Sequence, residues 1–362
     1  MNNKFRIILI LGIVILYGCK DHSLIKWPET IHVGVNIKEN SVKLNAEIIK
    51  ASYDFIYAKN FFVYEDSIMI VLNKPSNYVN FIEFYNIKMG KIINRFITRG
   101  NGPGEMLNTL AHIRKNNLYI HDFMANQIVS INIDSVLSFP DYKIEKPIRF
   151  SNNVGSPFVT FYKNDQLIMN CPFYFYDKKM GIDNNAPRFI VTDSKEEISL
   201  SLSAHIYYTY NVSQGLIVPN QEKNRLIYAS CFLPEIEVYD MELNPIKRII
   251  GPDKLKPSYR IDGNQIVFNK IVPYSYTGYY FDKEHLYFSY VGDYFHGDME
   301  LKDLKSWILK YDWDGNFIES FDLPEYINGL SKSVEENVFY GRGFDSDGTV
   351  VLWRFFLPEK QN

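Results

Sequence analysis

The chain has 362 residues and a formal net charge of −3, with 39 Lys and Arg against 42 Asp and Glu. A slightly acidic balance argues against a nucleic-acid binder, which concentrates basic residues in a patch or stripe. Aromatic residues make up 16% of the chain, 27 Tyr and 26 Phe among them, and flat side chains of this kind suit pleated strands.

Taken from the N-terminus, Lys4 and Arg6 precede a run from Ile7 to Gly18 without a charge. Twelve residues rise about 18 Å as a helix, short of the roughly 30 Å hydrocarbon core of a bilayer. The run therefore reads as the apolar part of a signal peptide spanning residues 1–18. It ends in Leu16-Tyr17-Gly18-Cys19, which resembles the lipobox of bacterial lipoproteins. That resemblance implies lipidation of Cys19, a tether over residues 19–30 and attachment to a membrane through the N-terminal lipid. Lys20 and Asp21 resemble the start of an export signal in surface lipoproteins of Gram-negative bacteria. Together these resemblances imply an outer-membrane lipoprotein facing the periplasm or the cell surface. Removing the leader takes Lys4 and Arg6 with it and moves the net charge to −5.

From residue 31 onward a single grammar recurs six times: a polar turn followed by a short apolar run. The runs start at Asp66, Asn117, Asp165, Asn224, Glu284 and Asp347, spaced by 51, 48, 59, 60 and 63 residues. Each of the first five is followed by a second segment that reads as strand, polar turn, strand: residues 81–96, 127–139, 188–202, 235–249 and 307–321. In the last of these, Asp314-Gly315 suits a tight hairpin. About four short strands per unit, with no amphipathic helix between them, cannot cover both of their faces alone. Radial stacking buries those faces against neighbouring copies, which predicts an all-β, six-bladed propeller over residues 31–362. A set of β-sandwiches is the rival, but sandwiches have no need of one unit recurring six times. The sixth unit stops after its second strand, so the strand-like segments Ile31–Ile37 and Val42–Ile49 are expected to complete the last blade. Cys171 and Cys231 then occupy equivalent places on adjacent blades, beyond the roughly 7 Å Cα limit for a bridge, and are expected to be free thiols.

Residues 99–105, Arg-Gly-Asn-Gly-Pro-Gly-Glu, look like a phosphate cradle but lack the Lys and Ser/Thr of a P-loop. The loop falls where the outermost strand of one blade crosses to the innermost strand of the next. Gly100, Gly102, Pro103 and Gly104 are therefore read as a structural turn. The stretch 97–122 resembles the Gly-x-Gly-Pro-Gly-Glu/Gln junction of NHL-type repeats, and more closely the TolB-like six-bladed propeller lipoproteins of Gram-negative bacteria. That resemblance implies an envelope-located propeller with a binding or scaffolding role and no catalytic residues to carry over.

Chemistry is hard to find by spacing. No His pair has metal-ligand spacing, and Asp312-Trp313-Asp314-Gly315-Asn316 has Phe317 and Leu323 where a calcium loop wants Gly and Glu. No nucleophile elbow occurs. No metal, cofactor or catalytic residue is assigned. Aromatic-rich stretches remain, at 171–185, 205–213, 272–282 and 291–303. One reading packs these tyrosines between blades. The other places Tyr174, Tyr176, Tyr207, Tyr208, Tyr276 and His296 on one face of the ring, where they bind a glycan, peptide or protein partner. Two functions follow: a non-enzymatic binding or scaffold module, or a divalent-ion-dependent hydrolase or lactonase working at the channel mouth.

Overall fold

The computed structural model describes residues 25–358 except 50–54, 75–79, 150–157, 171–186, 194–197, 204–213 and scattered shorter gaps that include Asn101 and Pro103. The strands form six sheets around an axis, a six-bladed β-propeller. Blade 1 is Ala58–Tyr64, Ile68–Asn73, Asn80–Asn86 and Lys91–Thr98. Blade 2 is Thr109–Arg114, Asn117–Asp122, Gln127–Asn132 and Ile148–Arg149. Blade 3 is Phe158–Phe161, Leu167–Asn170, Pro187–Thr192 and Ile198–Ser203. Blade 4 is Gly215–Asn220, Arg225–Ser230, Glu235–Tyr239 and Pro245–Ile250. Blade 5 is Ile271–Phe281, His285–His296, Trp307–Asp312 and Phe317–Asp322. Blade 6 is Ile327–Ser333, Val338–Phe344 and Val350–Phe356, with Asn45–Ile48 as its fourth strand.

Each blade is an antiparallel meander, so both of its faces carry apolar side chains toward its neighbours. The second strand shows this most clearly: Ile68–Asn73 and Leu167–Asn170 are buried at every position. Burial therefore falls into clusters that each join two adjacent blades. Leu72 and Phe84 of blade 1 meet Leu118 and Ile120 of blade 2, and Phe189 of blade 3 meets Tyr228 of blade 4. The ring closes where Phe61 and Val71 of blade 1 share a cluster with Val338 and Tyr340 of blade 6. A fully buried side chain of this size is worth roughly 1.5–3 kcal/mol. Such seams, rather than any one sheet, hold the ring.

Two expectations are corrected. The segment Ile31–Ile37 does not join the last blade. Glu29–His32 instead runs parallel to Lys247–Ile250 on the outer edge of blade 4. A one-turn helix, Asn36–Glu39, follows, and Val42–Lys43 pairs in parallel with Phe321–Asp322 on the outer edge of blade 5. Only Asn45–Ile48 reaches blade 6, antiparallel to Trp353–Phe356. The N-terminal segment is thus a strap across three blades. It satisfies edge N–H and C=O groups that would otherwise face solvent. The second correction lies in residues 127–139. After Gln127–Asn132 the chain forms a helix, Ile133–Ser138, in place of a hairpin. Asn132 Oδ1 accepts from Ser135 N–H (2.9 Å), an N-cap, while Ile133 and Val136 turn inward.

The described residues of the glycine loop hold one another through hydrogen bonds of their own. Gly100 N–H donates to Met106 O (3.0 Å) and Met106 N–H to Thr98 O (3.0 Å), closing the crossing between blades 1 and 2. Glu105 folds back so that Gly102 N–H donates to its Oε2 (2.7 Å). A Cβ on Gly100 would lie 2.0 Å from that same oxygen. The Glu105 carboxylate thus occupies the Gly102 N–H and lies against Gly100. Gly104 takes φ +80°, a left-handed turn position. Pro103 lies outside the described residues.

Candidate functional site

In a meander whose strands run from the axis outward, two connections share each end of the ring. The links between second and third strands lie at the same end as the crossings from one blade to the next. Most long connections of the described chain are at that end, here the upper end. Among them are 99–108, 251–270 with its hairpin Tyr259–Asp262 and Gln265–Phe268, and the segment after His296. The lower end carries mostly short turns, such as 65–67, 115–116 and 282–284; the helix in blade 2 is the exception.

Along the axis the innermost strands of blades 1, 2, 4, 5 and 6 enclose a cavity of about 370 Å³. Its wall is largely apolar: Phe62, Val63, Leu110, Ala111, Ile113, Leu216, Tyr279, Tyr280, Phe281 and Leu330. Polar wall groups also fasten neighbouring blades. Ser331 Oγ of blade 6 accepts from Val63 N–H of blade 1 (2.9 Å). Thr277 Oγ of blade 5 donates to Ile327 O of blade 6 (3.2 Å) and shares a proton with Ser289 Oγ (2.8 Å). Blades 5 and 6 approach closely at Gly278, where a Cβ would meet Gly329 Cα at 2.8 Å. Two backbones can come this near only without side chains between them.

Lys59, the second residue of its inner strand, stands at the upper mouth. Its Nζ donates to Thr109 O (3.2 Å) and Asn108 Oδ1 (3.4 Å) of blade 2. Burial, with the neighbouring Lys74 charge adding to it, pushes this ammonium down to about 8. On the blade 6 side, Arg342 Nε donates to Phe55 O (3.1 Å), four residues ahead of Lys59. Burial lowers the guanidinium pKa, while Tyr326 and Tyr274 act in the opposite direction. Those two phenols meet at 3.4 Å, and burial raises the pKa of both. At its upper end the channel lining therefore carries Lys59, above walls that are mostly hydrocarbon, while Arg342, Tyr274 and Tyr326 stand behind that lining. Among the described residues no three His, Cys, Asp or Glu side chains gather as a metal site requires.

The residues singled out by sequence scatter differently. Tyr276 is not on a face of the ring: it is 1% exposed and packs between Phe288 (5.6 Å) and Tyr290 (4.9 Å) in the seam of blades 4 and 5. The reason is strand alternation. Residues 272–282 are the inner strand of blade 5 rather than an insertion, and Tyr276 points sideways to the neighbouring sheet. Tyr279, Tyr280 and Phe281 of the same stretch line the channel. His296 ends the second strand of blade 5 at the upper end and is exposed. Tyr174, Tyr176, Tyr207, Tyr208 and Cys19 lie outside the described residues. Cys231 is a free thiol pushed up to about 12 by burial, and Cys171 lies outside the described residues. Sequence reading missed Lys59, Asn328 and Arg342. Their one signal is position: Lys59 and Asn328 stand at the start of an inner strand, directly after a crossing.

Comparison with known proteins follows the architecture. The profile of a family described as TolB-like 6-blade propeller-like matches residues 38–337. A Bacteroides fragilis NCTC 9343 protein described as exported superposes with a TM-score of 0.56 at 14% identity, covering 91% of this chain and 99% of that one. A member of the DUF4221 family from Bacteroides vulgatus ATCC 8482 gives 0.53 at 12% identity, covering 88% and 97%. At such identities the likeness concerns the fold. No curated protein matches the sequence.

Proposed function

The chain belongs to the TolB-like 6-blade propeller-like family, and from that premise we propose that it is a binding or scaffold module of the cell envelope. It is held at the outer membrane through a lipid on Cys19, and its upper face, toward periplasm or cell surface, receives a peptide, protein or glycan partner. Export is supported by the description of the Bacteroides fragilis neighbour and by the lipobox-like Leu16–Cys19. The observation that carries the binding reading is the coincidence of two features at one end. Lys59 and Asn328 of the cavity lining stand at the end where most long connections gather, and the cavity of about 370 Å³ falls in the size range of ligand pockets. Partners placed there could set a side chain or sugar into the mouth. The rival, a divalent-ion hydrolase or lactonase, needs carboxylates converging on the axis. The described lining offers Lys59, Asn60 and Asn328 instead.

The test uses protein starting at Lys20, immobilised and screened against arrays of peptides and oligosaccharides. Hits should lose at least about tenfold in affinity when Asn328→Trp fills the mouth, and be unmoved by Lys283→Glu at the lower end. Hits indifferent to the mouth, or none at all, would sink the reading. In cells, incorporation of a palmitate analogue should disappear on Cys19→Ser; persistence would remove the tether.

A further inference from the structure

We propose that the axial channel is a site for a neutral, mostly hydrocarbon small molecule carrying one acceptor oxygen, which the Tyr279 hydroxyl binds. The inference rests on the reading that this channel takes a ligand, and adds what kind. Size comes from the cavity: about 370 Å³ matches roughly a dozen non-hydrogen groups at the ~30 Å³ that each water occupies in the liquid. Skeleton chemistry comes from the wall, where Phe62, Ala111, Leu216, Tyr279 and Leu330 present carbon from five different blades.

The acceptor is called for by one hydroxyl. Tyr279 lies deep enough for burial to push its phenol up to about 12, yet the residue is only partly covered. The open space it borders is the channel. Its ring stacks on Phe281 (6.4 Å, 9°), which in turn meets the Trp313 edge (5.6 Å). Among the described residues the Tyr279 hydroxyl makes no hydrogen bond. A hydroxyl in hydrocarbon surroundings gains most from an acceptor that arrives with apolar surface, taking the place that water would otherwise fill. Other polar side chains of the lining are already tied: Thr277 to Ile327 O, Ser331 to Val63 N–H, Asn328 to the Tyr326 phenol and Asn60 Oδ1 to Phe61 N–H.

Neutrality comes from the upper end. Lys59 is the charged side chain of the lining, and Thr109 O and Asn108 Oδ1 already engage it. Beside those partners lies the buried Asp122 carboxylate, which stands opposite Thr109 in the sheet and accepts from Asn108 N–H (3.3 Å). Opposite charges at one end favour neither an anion nor a cation in the channel. A charged guest would give up its hydration to walls of hydrocarbon, a cost that a neutral guest does not meet.

Calorimetry with four probes tests this: 2-nonanone, butylbenzene, nonanoate and octyltrimethylammonium. The ketone should bind at least about tenfold more tightly than either ion. Tyr279→Phe should weaken the ketone by about fivefold to tenfold and leave butylbenzene unchanged, because only the hydroxyl is removed. Tyr280→Phe and Asn60→Ala, which remove other donors of the wall, should leave the ketone within about twofold. Unchanged melting temperatures separate these effects from unfolding. If the ketone keeps its affinity in Tyr279→Phe, or loses as much in either control, the donor assignment is wrong while the channel remains a pocket. Nonanoate or the ammonium binding as tightly as the ketone overturns neutrality. If no probe binds although array partners still depend on the mouth, the small-molecule proposal fails and the binding module survives.

Discussion

The seam between blades 4 and 5 and the seam between blades 2 and 3 are the same joint built with different chemistry. In the first, Val218, Ile227, Ile236, Leu286, Phe288, Leu309 and Trp313 are all buried, and Tyr276, Tyr290 and Tyr311 complete a nearly continuous aromatic layer. The N-terminal strap crosses the outside of that joint. In the second, Ile128 and Leu167 are the buried apolar residues among those described, with Tyr119, Val159 and Phe161 only partly covered. The remaining volume belongs to a histidine: His112 stacks on Tyr119 (5.6 Å, 13°) and meets the Phe161 edge (5.1 Å). Arg114 extends over Phe161 at 5.8 Å. Blade geometry thus fixes where a joint must be, but not how apolar it is. Stability should be distributed unevenly around the ring.

The largest effect should come from truncating the denser joint. Phe288→Ala removes a fully buried ring between Tyr276 and Tyr311, and should cost about 3–5 kcal/mol in urea unfolding. Phe161→Ala at the other joint removes a ring that is already part-exposed, so its cost should be less than half as large. Equal losses would break the comparison.

Acid should separate the joints in the opposite sense. Burial first, then the charges of His121 and Arg114, push His112 down to about 3; burial alone takes His121 to about 4. An unfolded histidine takes up its proton near pH 6.5. Between 6.5 and about 4 the unfolded chain therefore binds more protons than the folded one, and stability falls with pH across that window. It is fully present above 6.5. His112→Phe keeps a ring against Tyr119 and also removes a buried Nε2 that has no hydrogen-bond partner among the described residues. Unfolding curves at pH 7, 5 and 4 should show wild type losing a few kcal/mol and the variant markedly less. Phe288→Ala should instead parallel wild type at all three. A His112→Phe curve that runs parallel to wild type would show that this joint is not the acid-sensitive one.

The same contrast explains what could be read from the sequence. Blades were legible because each second strand, such as Ile68–Asn73, is a compact apolar run behind an Asp or Asn turn, and burial on both faces demands that composition. The strap was not, since parallel pairing of Glu29–His32 or Val42–Lys43 on an existing edge uses backbone groups alone and imposes no alternation. Helix Ile133–Ser138 did have a signal, Asn132 at its N-cap with Asp134 in the first turn, masked by the repeat grammar around it. The channel had almost none. Its wall draws one short piece from each of five blades spread from Lys59 to Ser331, and no spacing links them. Tyr276 misled because an aromatic-rich strand looks the same whether its rings face a neighbour, an axis or solvent.

The smallest of the three effects asks whether the strap belongs to the strength of the blade 4–5 joint or merely covers it. Lys38 Nζ sits 3.0 Å from Asp253, with the two side chains 17% and 16% exposed, and 4.3 Å above the Trp307 ring. Tyr290 OH donates to the same carboxylate (2.8 Å), so the strap connects to the aromatic layer through one acid. Lys38→Met keeps most of the stem but strips the ammonium from a half-buried carboxylate and from the ring. The expected loss is about 1–2 kcal/mol, below the 3–5 of a fully buried pair because both partners still touch solvent. Asp253→Asn should lose a similar amount, and the double variant less than the sum by about 1 kcal/mol, the coupling of the pair itself. Moderate salt should leave that coupling nearly unchanged, since shielded charges are screened little. A coupling of zero would mean that the strap rests on blade 5 without bracing it, and the difference between the joints would then be one of apolar packing alone.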